Sequence, residues 1–146
     1  MSSQMSKVKI KQVNRSEAEN YLRQIRTQVF IQEQYVPVDL EWDGLDETAI
    51  HLLVMLDNQP IACARIFKYQ ILGRMAVIKS WRKIGLGMSL LLEAIKVCKS
   101  QGSKTIRLSA QLQAVSFYSR AGFKVVSNEY LEANIRHVDM LLALTD

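Results

Sequence analysis

Residues 74–100 constrain the fold of this chain more than any other stretch. The apolar segment Arg74–Ile78 is typical of a strand, and from Gly85 the pattern changes to that of an amphipathic helix ending near Ser100. Apolar residues alternate with polar ones again over 105–110, which predicts a second strand. A strand, a helix and a strand in this order predict a crossover that lays the two strands parallel.

The turn that opens this helix carries a basic residue and two glycines, Arg82-Lys83-Ile84-Gly85-Leu86-Gly87. Backbone N–H groups at a helix N-terminus favour negative charge, and glycine lets a phosphate approach them closely. The same residues can equally serve turn geometry alone. Two phosphate motifs are excluded, because Leu90 stands where the dinucleotide fingerprint needs its third glycine and no Gly-Lys-Ser/Thr triplet follows.

The remaining patterns predict an α+β fold with a mixed, mostly antiparallel central sheet and flanking helices. The expected elements are a strand at Lys7–Val13, a helix capped by Ser16, strands at Ala49–Leu56 and Ile61–Lys68, a short helix at Gln113–Ala121, and strands at Phe123–Ser127 and His137–Leu144. We expect residues 1–6 to form a disordered tail and residues 7–146 to form a single domain, which is long enough to bury a core.

Charge and cysteine content narrow the function. The net charge of +5 is spread along the chain, and its one cluster beside the glycine turn, Lys79, Arg82 and Lys83, suits a small polyphosphate as well as a nucleic-acid backbone. No helix-turn-helix, zinc or RNA-binding signature accompanies it, which argues against a nucleic-acid partner. Cys63 and Cys98 lie in apolar runs, so we expect buried free thiols and no metal site.

Nothing in the sequence indicates a membrane partner. No run of about eighteen apolar residues could span a bilayer, and the first ten residues lack the apolar core of a signal peptide. We therefore expect a cytoplasmic protein.

A second motif follows the crossover one strand later, Gln111-x-x-Ala114-x-x-x-Tyr118-x-x-x-Gly122-Phe123. In order and separation, this motif and the glycine turn resemble the two motifs of the GNAT superfamily of N-acetyltransferases, over about Val8 to Leu144. More narrowly, Glu33-Gln34-x-Val36-Pro37, Glu41-x-Asp43-x-x-Asp46 and Ala110-Gln111-Leu112 resemble a branch of small bacterial proteins of the ElaA type.

The resemblance implies that acetyl-CoA is the co-substrate. It assigns the coenzyme A pyrophosphate to the turn made of Arg82, Lys83, Ile84, Gly85, Leu86, Gly87 and Met88. It also implies that the strand Arg74–Ile78 splays from its parallel neighbour, so that backbone groups near Met75, Ala76 and Val77 bind the pantetheine and the thioester. Gln111 stands where the family has an asparagine and is assigned to the cofactor site.

The family places a tyrosine at the position of Tyr118 as general acid, where its hydroxyl would donate a hydrogen bond or a proton to the departing thiolate. The general base stays open, because an amine must be neutral to attack and several groups could take its proton. Those groups are Glu33, Asp46, Glu47, Glu132 and His137. We retain Glu33 and His137 as candidates for the base or for contact with the acceptor.

Together these observations predict an N-acetyltransferase that moves an acetyl group to a primary amine by direct attack in a ternary complex. The acceptor would be a small molecule or a peptide amine, and a homodimer stays open. The alternatives are a non-catalytic acyl-CoA-binding regulatory module and a basic nucleic-acid-binding protein. The acidic run Glu41, Asp43, Asp46 and Glu47 could attract a cationic amine, although an exposed loop would explain the same charges.

Overall fold

The fold is built on one mixed sheet of eight strands. The structure is a computed structural model, and it describes residues 8–144. The strands are β1 (Val8–Val13), β2 (Ile50–Leu56), β3 (Gln59–Phe67), β4 (Ile71–Val77), β5 (Thr105–Gln111), β6 (Lys124–Val125), β7 (Tyr130–Glu132) and β8 (Ile135–Ala143). The helices are α1 (Arg15–Arg26), α2 (Val38–Glu41), α3 (Leu86–Ser100) and α4 (Val115–Ser119). A π-helical segment, Thr27–Glu33, continues α1, and 3₁₀ turns lie at Asp46–Thr48, Lys79–Trp81 and Leu112–Ala114. The predicted tail, residues 1–6, lies outside the described residues.

The strand order confirms the predicted fold class. The sheet runs β1-β2-β3-β4-β5-β8-β6, and β7 pairs with β8 beside this path. All neighbouring strands are antiparallel except β4 and β5, which are parallel and joined through α3. The crossover predicted from residues 74–110 is therefore present, and it lies in the middle of the sheet.

Several predicted boundaries differ from the structure. Asn14 rather than Ser16 caps α1: its side-chain oxygen accepts from the Glu17 N–H at 2.9 Å, and the Glu17 carboxylate accepts from the Asn14 N–H at 3.2 Å. This capping box has the spacing expected for the motif but begins two residues earlier, because Asn competes well for the N-cap position. The predicted strand at 123–127 contains only β6, and an additional short strand, β7, precedes β8.

Apolar side chains fill both faces of the sheet. On one face, α3 buries Leu86, Leu90, Leu91, Ala94 and Cys98 against strand residues that include Leu52 and Val54. On the other face, α1 and the π-helical segment bury Leu22, Ile25 and Val29 against Leu53, Cys63 and Ala76. Neighbouring residues of β2 thus face opposite layers, which explains why this strand is apolar throughout rather than alternating.

Both cysteines are buried free thiols, as the sequence predicts. Burial raises the pKa of Cys63 to about 12 and that of Cys98 to about 11, so both thiols stay protonated at neutral pH. Within residues 8–144, no group of three or more His, Cys, Asp or Glu side chains is arranged to hold a metal ion. None of the helices in this range has the length and apolarity that crossing a bilayer requires.

Candidate active site

The parallel strands β4 and β5 separate soon after they meet. They are paired only at Ile71 with Arg107 and at Leu72 with Leu108. Beyond these pairs, β4 continues along β3 to Val77, and β5 continues along β8 to Gln111. The facing edges of the two strands are therefore open to a ligand over the remaining residues, and the splay expected from the family resemblance is present.

A bulge at Arg74 accompanies this separation. Arg74 has a left-handed backbone with φ of +46°, and the β3–β4 register shifts between Cys63 and Arg65. A non-glycine residue in this conformation costs about 1 kcal/mol or more, so the surrounding structure must hold it there. The Arg74 guanidinium donates hydrogen bonds to the Leu40 and Glu41 carbonyls at 3.1 and 3.2 Å. The loop before β2 thus helps to maintain the opening.

The opening leads into a cleft of about 570 Å³. Met75 and Tyr118 lie on the side of the separating strands. Phe30 and Gln34 come from the end of the α1 extension, where the wider π-helical turn is a feature often found at functional sites. The residues contributed by β5, β7 and β8 include Ser109, Glu132 and His137. The cleft therefore joins elements that are far apart in the sequence.

Tyr118 has a hydroxyl group that is available for donation in the cleft. Its ring packs edge-on against Phe117 and Phe123, with centroids at 5.1 and 5.9 Å. Among residues 8–144, the one contact of its hydroxyl is weak, with Met75 Sδ at 3.9 Å. Burial raises the pKa of Tyr118 to about 12, so the hydroxyl stays protonated at neutral pH. Tyr118 can therefore act as a hydrogen-bond donor but not as a base.

In the part of the chain that the structure describes, no side chain caps the first N–H groups of α3, which follow the glycine turn. Gly85 is the N-cap residue, with φ of +86°, and provides no capping side chain. The first intrahelical bond shown at this end runs from the Ser89 N–H to the Gly85 carbonyl at 3.1 Å. The N–H groups of Leu86, Gly87 and Met88 precede it and can bind an anion. Lys83, with φ of +67°, adopts the left-handed conformation that glycine would adopt more easily.

Arg82 and Glu33 form an ion pair with each other, and neither residue lines the cleft. The Arg82 guanidinium donates to both Glu33 carboxylate oxygens at 2.7 and 2.8 Å, and its Nε donates to the Val77 carbonyl at 2.8 Å. The hydrogen bond from Arg82 lowers the pKa of Glu33, which makes this carboxylate a weaker base. Glu33 is also not one of the residues that line the cleft within residues 8–144.

Gln111 links β5 to the far wall of the cleft. Its amide nitrogen donates to Gln34 Oε1 at 2.8 Å, and its carbonyl oxygen accepts from the Gln113 amide. Both ends of the Gln111 side chain thus have protein partners. The contact between Gln111 and Gln34 also fixes the width of the cleft at this level.

Of the two retained candidates for the base, Glu33 and His137, it is His137 that lines the cleft. Its Nδ1 lies 2.7 Å from the Ile135 carbonyl, and because a carbonyl only accepts, Nδ1 carries the proton in the neutral ring. Nε2 is then free to accept a proton, and it lies 3.6 Å from Glu132 Oε2. The ring is 7% exposed and stacks on Tyr130 at a centroid distance of 6.0 Å. His137 is therefore fixed in orientation with its basic nitrogen toward Glu132.

Three of the four carboxylates in the acidic run pair with buried arginines, and the fourth, Glu47, pairs with the half-buried Arg15 at 2.8 Å. Arg26 and Glu41 are each 1% exposed and lie 2.7 Å apart, and Asp46 also lies 2.7 Å from Arg26. Asp43 forms two hydrogen bonds with Arg65, at 2.8 and 2.9 Å. Burial opposes ionisation of Asp43, but the hydrogen bonds from Arg65 and the Leu45 N–H, together with the charges of Arg65 and Arg74, outweigh it and lower its pKa to about 2. These carboxylates are internal ion-pair partners of the loop and not free sites for a cationic amine.

The arginines that hold this loop have no common signature in the sequence. Arg26, Arg65 and Arg74 are separated in the sequence and have no shared motif. Arg65 offers one signal, because it interrupts an otherwise apolar strand and a buried charge requires a partner. Ser109 likewise belongs to no motif in the sequence. It pairs with Asp139 across β5 and β8, and its hydroxyl reaches Glu132 only in the folded chain.

Comparisons with known proteins agree with this geometry. Residues 4–144 match the family model described as an acetyltransferase (GNAT) domain. The uncharacterized N-acetyltransferase YjcF of Bacillus subtilis is 35% identical over 121 residues, which cover 80% of the chain and 86% of YjcF. Protein ElaA of Escherichia coli is 31% identical over 127 residues, which cover 82% and 83% of the two proteins.

Solved structures show the same similarity. An acyl-CoA N-acyltransferase from Pseudomonas aeruginosa has a TM-score of 0.85 and 30% identity, covering 93% of this chain and 99% of that protein. The crystal structure of Escherichia coli ElaA has a TM-score of 0.84 and 27% identity, covering 92% and 99%. Both similarities cover more than nine tenths of this chain.

Proposed function

Because this chain belongs to the GNAT acetyltransferase family and is an N-acetyltransferase of the ElaA-like group, we propose that it transfers an acetyl group from acetyl-CoA to a primary amine within a ternary complex. The amine belongs to a small molecule or a peptide. The observation that carries this proposal is the cleft between β4 and β5, which combines an open strand edge, a protonated tyrosine and a histidine with a free basic nitrogen.

In this proposal the turn from Arg82 to Met88 binds the pyrophosphate of coenzyme A. The backbone N–H groups of Leu86, Gly87 and Met88 supply the donors, and the turn of Lys83, Ile84 and Gly85 brings them together. A Cβ at Gly87 would lie 3.5 Å from the Phe117 ring, next to Tyr118, so the turn and the tyrosine are close. The open edge at Met75, Ala76 and Val77 then accepts the pantetheine arm, and Gln111 borders it from β5.

The proposed chemistry needs one proton transfer at the acceptor nitrogen and one at the sulfur of coenzyme A. His137 Nε2 takes a proton from the acceptor nitrogen, which forms the new C–N bond to the acetyl carbonyl carbon. Tyr118 donates a hydrogen bond to the sulfur as the C–S bond breaks, and it delivers a proton to the departing thiolate. No acetylated enzyme is required, which agrees with the burial and raised pKa of both cysteines.

The proposal is tested by thiol release from acetyl-CoA in the presence of pooled primary amines. The two cysteines are buried, so a thiol reagent should report coenzyme A with little background from the folded protein. His137→Asn should lower turnover, since Asn retains a donor for the Ile135 carbonyl but lacks the basic Nε2. Binding of acetyl-CoA without thiol release from any amine pool would contradict the proposal and would favour a non-catalytic acyl-CoA-binding module.

A further inference from the structure

The negative and positive charges of the residues that line the cleft are not all paired with each other. Its carboxylates are those of Glu41, Asp43 and Glu132. Glu41 lies 2.7 Å from Arg26, and Asp43 lies 2.8 Å from Arg65. Within residues 8–144, Glu132 has no lysine or arginine within ion-pair distance, and its one ion-pair neighbour is His137 at 3.6 Å. The cleft therefore has one carboxylate that lacks a permanently charged partner.

This carboxylate lies beside the candidate base. Glu132 Oε2 is 3.6 Å from His137 Nε2 and 3.4 Å from the Ser109 hydroxyl. Ser109 is in turn hydrogen-bonded to Tyr130, whose hydroxyl lies 2.6 Å from Asp139 Oδ1. A cation bound at Glu132 would thus be held next to the nitrogen that accepts its proton. The Ser109, Tyr130 and Asp139 side chains fix the position of this end of the cleft.

Several of the residues that line the cleft are apolar. Phe30, Val36, Leu40 and Ile71 line the same cleft, and Leu40 and Ile71 are 53% and 47% exposed. The nearby arginines Arg65 and Arg74 are already paired with Asp43 and Glu41. A ligand here would gain free energy by covering the exposed apolar side chains, and a second charged group would have no free partner.

We propose that Glu132 binds the acceptor as its ammonium ion, and that the acceptor is a monoamine whose amino group is joined to an apolar body. This inference rests on the proposed function. A polyamine or an aminoglycoside would bring further ammonium groups to a cleft whose other two carboxylates among residues 8–144, Glu41 and Asp43, are already paired with arginines. An α-amino acid would bring its own carboxylate next to Glu132. After binding, the ammonium gives one proton to His137 Nε2, which releases it to solvent, and the neutral amine then attacks. As the C–N bond forms and the C–S bond breaks, the nitrogen gives its second proton to His137 Nε2, and the thiolate takes the proton of Tyr118, which is restored from solvent.

The first test compares acceptors and variants in the thiol-release assay. We expect kcat/KM for 2-phenylethylamine and hexylamine to exceed the values for spermidine and phenylalanine by at least about tenfold. Glu132→Gln should raise KM for 2-phenylethylamine by about tenfold and leave the Kd of acetyl-CoA unchanged. Glu129→Gln is the matched control, because Glu129 pairs with Arg136 on the surface and does not line the cleft.

The second test measures binding without turnover. N,N-dimethyl-2-phenylethylamine keeps the cation but cannot form a stable amide, and 3-phenyl-1-propanol has no charge. We expect calorimetry to show that Glu132→Gln raises the Kd of the tertiary amine about tenfold and leaves the Kd of the alcohol unchanged. Glu129→Gln should change neither Kd.

The outcomes separate this inference from the proposed function. Faster acetylation of spermidine or phenylalanine, or an unchanged KM in Glu132→Gln, would overturn the inference while leaving the acetyltransferase intact. If no amine releases thiol, the proposed function fails, and the tertiary-amine measurement still decides whether Glu132 binds a cation. Equal binding of the tertiary amine to the wild type and to Glu132→Gln would overturn the inference in either case.

Discussion

The Arg82 guanidinium forms two hydrogen bonds with the Glu33 carboxylate, at 2.7 and 2.8 Å, across 49 residues of sequence. This ion pair connects the turn that opens α3 to the end of the π-helical segment. Arg82 belongs to the proposed pyrophosphate turn, and the segment that ends at Glu33 supplies one wall of the cleft. The two halves of the candidate site are thus joined through these residues.

We expect Glu33→Gln to strengthen the binding of acetyl-CoA by about threefold. The substitution removes a negative charge beside the turn and frees the Arg82 guanidinium for the phosphates, an effect of less than about 1 kcal/mol for half-exposed groups. Calorimetric titration at low salt measures the change. Glu47→Gln, which removes a comparable surface pair with Arg15, is the control. Weaker binding in Glu33→Gln would mean that the ion pair positions Arg82 instead of competing for it.

Tyr118→Phe should lower kcat by about 100-fold and leave the Kd of acetyl-CoA nearly unchanged. Within the described part of the chain, the hydroxyl has only a weak contact with Met75, so its removal should affect stability little while removing the donor for the thiolate. Steady-state kinetics and calorimetry measure the two effects separately. Tyr21→Phe on the surface of α1 is the control. An unchanged kcat in Tyr118→Phe would remove this residue from the reaction.

Gly85→Ala should weaken acetyl-CoA binding and lower the free energy of unfolding by about 1 kcal/mol. Its φ of +86° is strained for alanine, although nothing lies within 4 Å of the added Cβ. Gly102→Ala is a matched control, because Gly102 has φ of +80° and equally open space but follows the C-terminal end of α3. Both variants should lose similar stability in urea unfolding. Equal loss of acetyl-CoA affinity in the two variants would contradict a role for the Gly85 turn in binding.

Asp43 should make the fold sensitive to acid. Its pKa is about 2 in the folded protein, below the ordinary value of 3.8, so its contribution to stability is present above about pH 4 and is lost as the pH falls towards 2. Asp43→Asn should therefore destabilise the protein at pH 6 by more than at pH 2.5. Urea unfolding at the two pH values measures the difference. A destabilisation that does not change with pH would show that packing rather than ionisation explains the effect of Asp43.

Structural features that depend on residues close together in the sequence could be predicted from the sequence. The strand, glycine turn and helix over 74–100 predict the parallel crossover, since each step depends on local periodicity and on the conformational freedom of glycine. Tyr118 could be placed because it follows Gln111 and Ala114 at the spacing of a family motif. The N-cap of α1 was misplaced by two residues, since Asn14 and Ser16 are both good caps and local pattern does not choose between them.

The partners of the charged side chains depended on the tertiary structure. The sequence by itself determined the order of the main elements, the glycine turn that we propose for the pyrophosphate, and the position of Tyr118, the proposed general acid. Only the folded chain brought Glu33 to Arg82, enclosed Glu41 with Arg26, and left Glu132 beside His137 without an arginine. The physical reason is that a side chain's charge partner and its burial depend on which distant segments pack against it, and local periodicity carries no information about that packing.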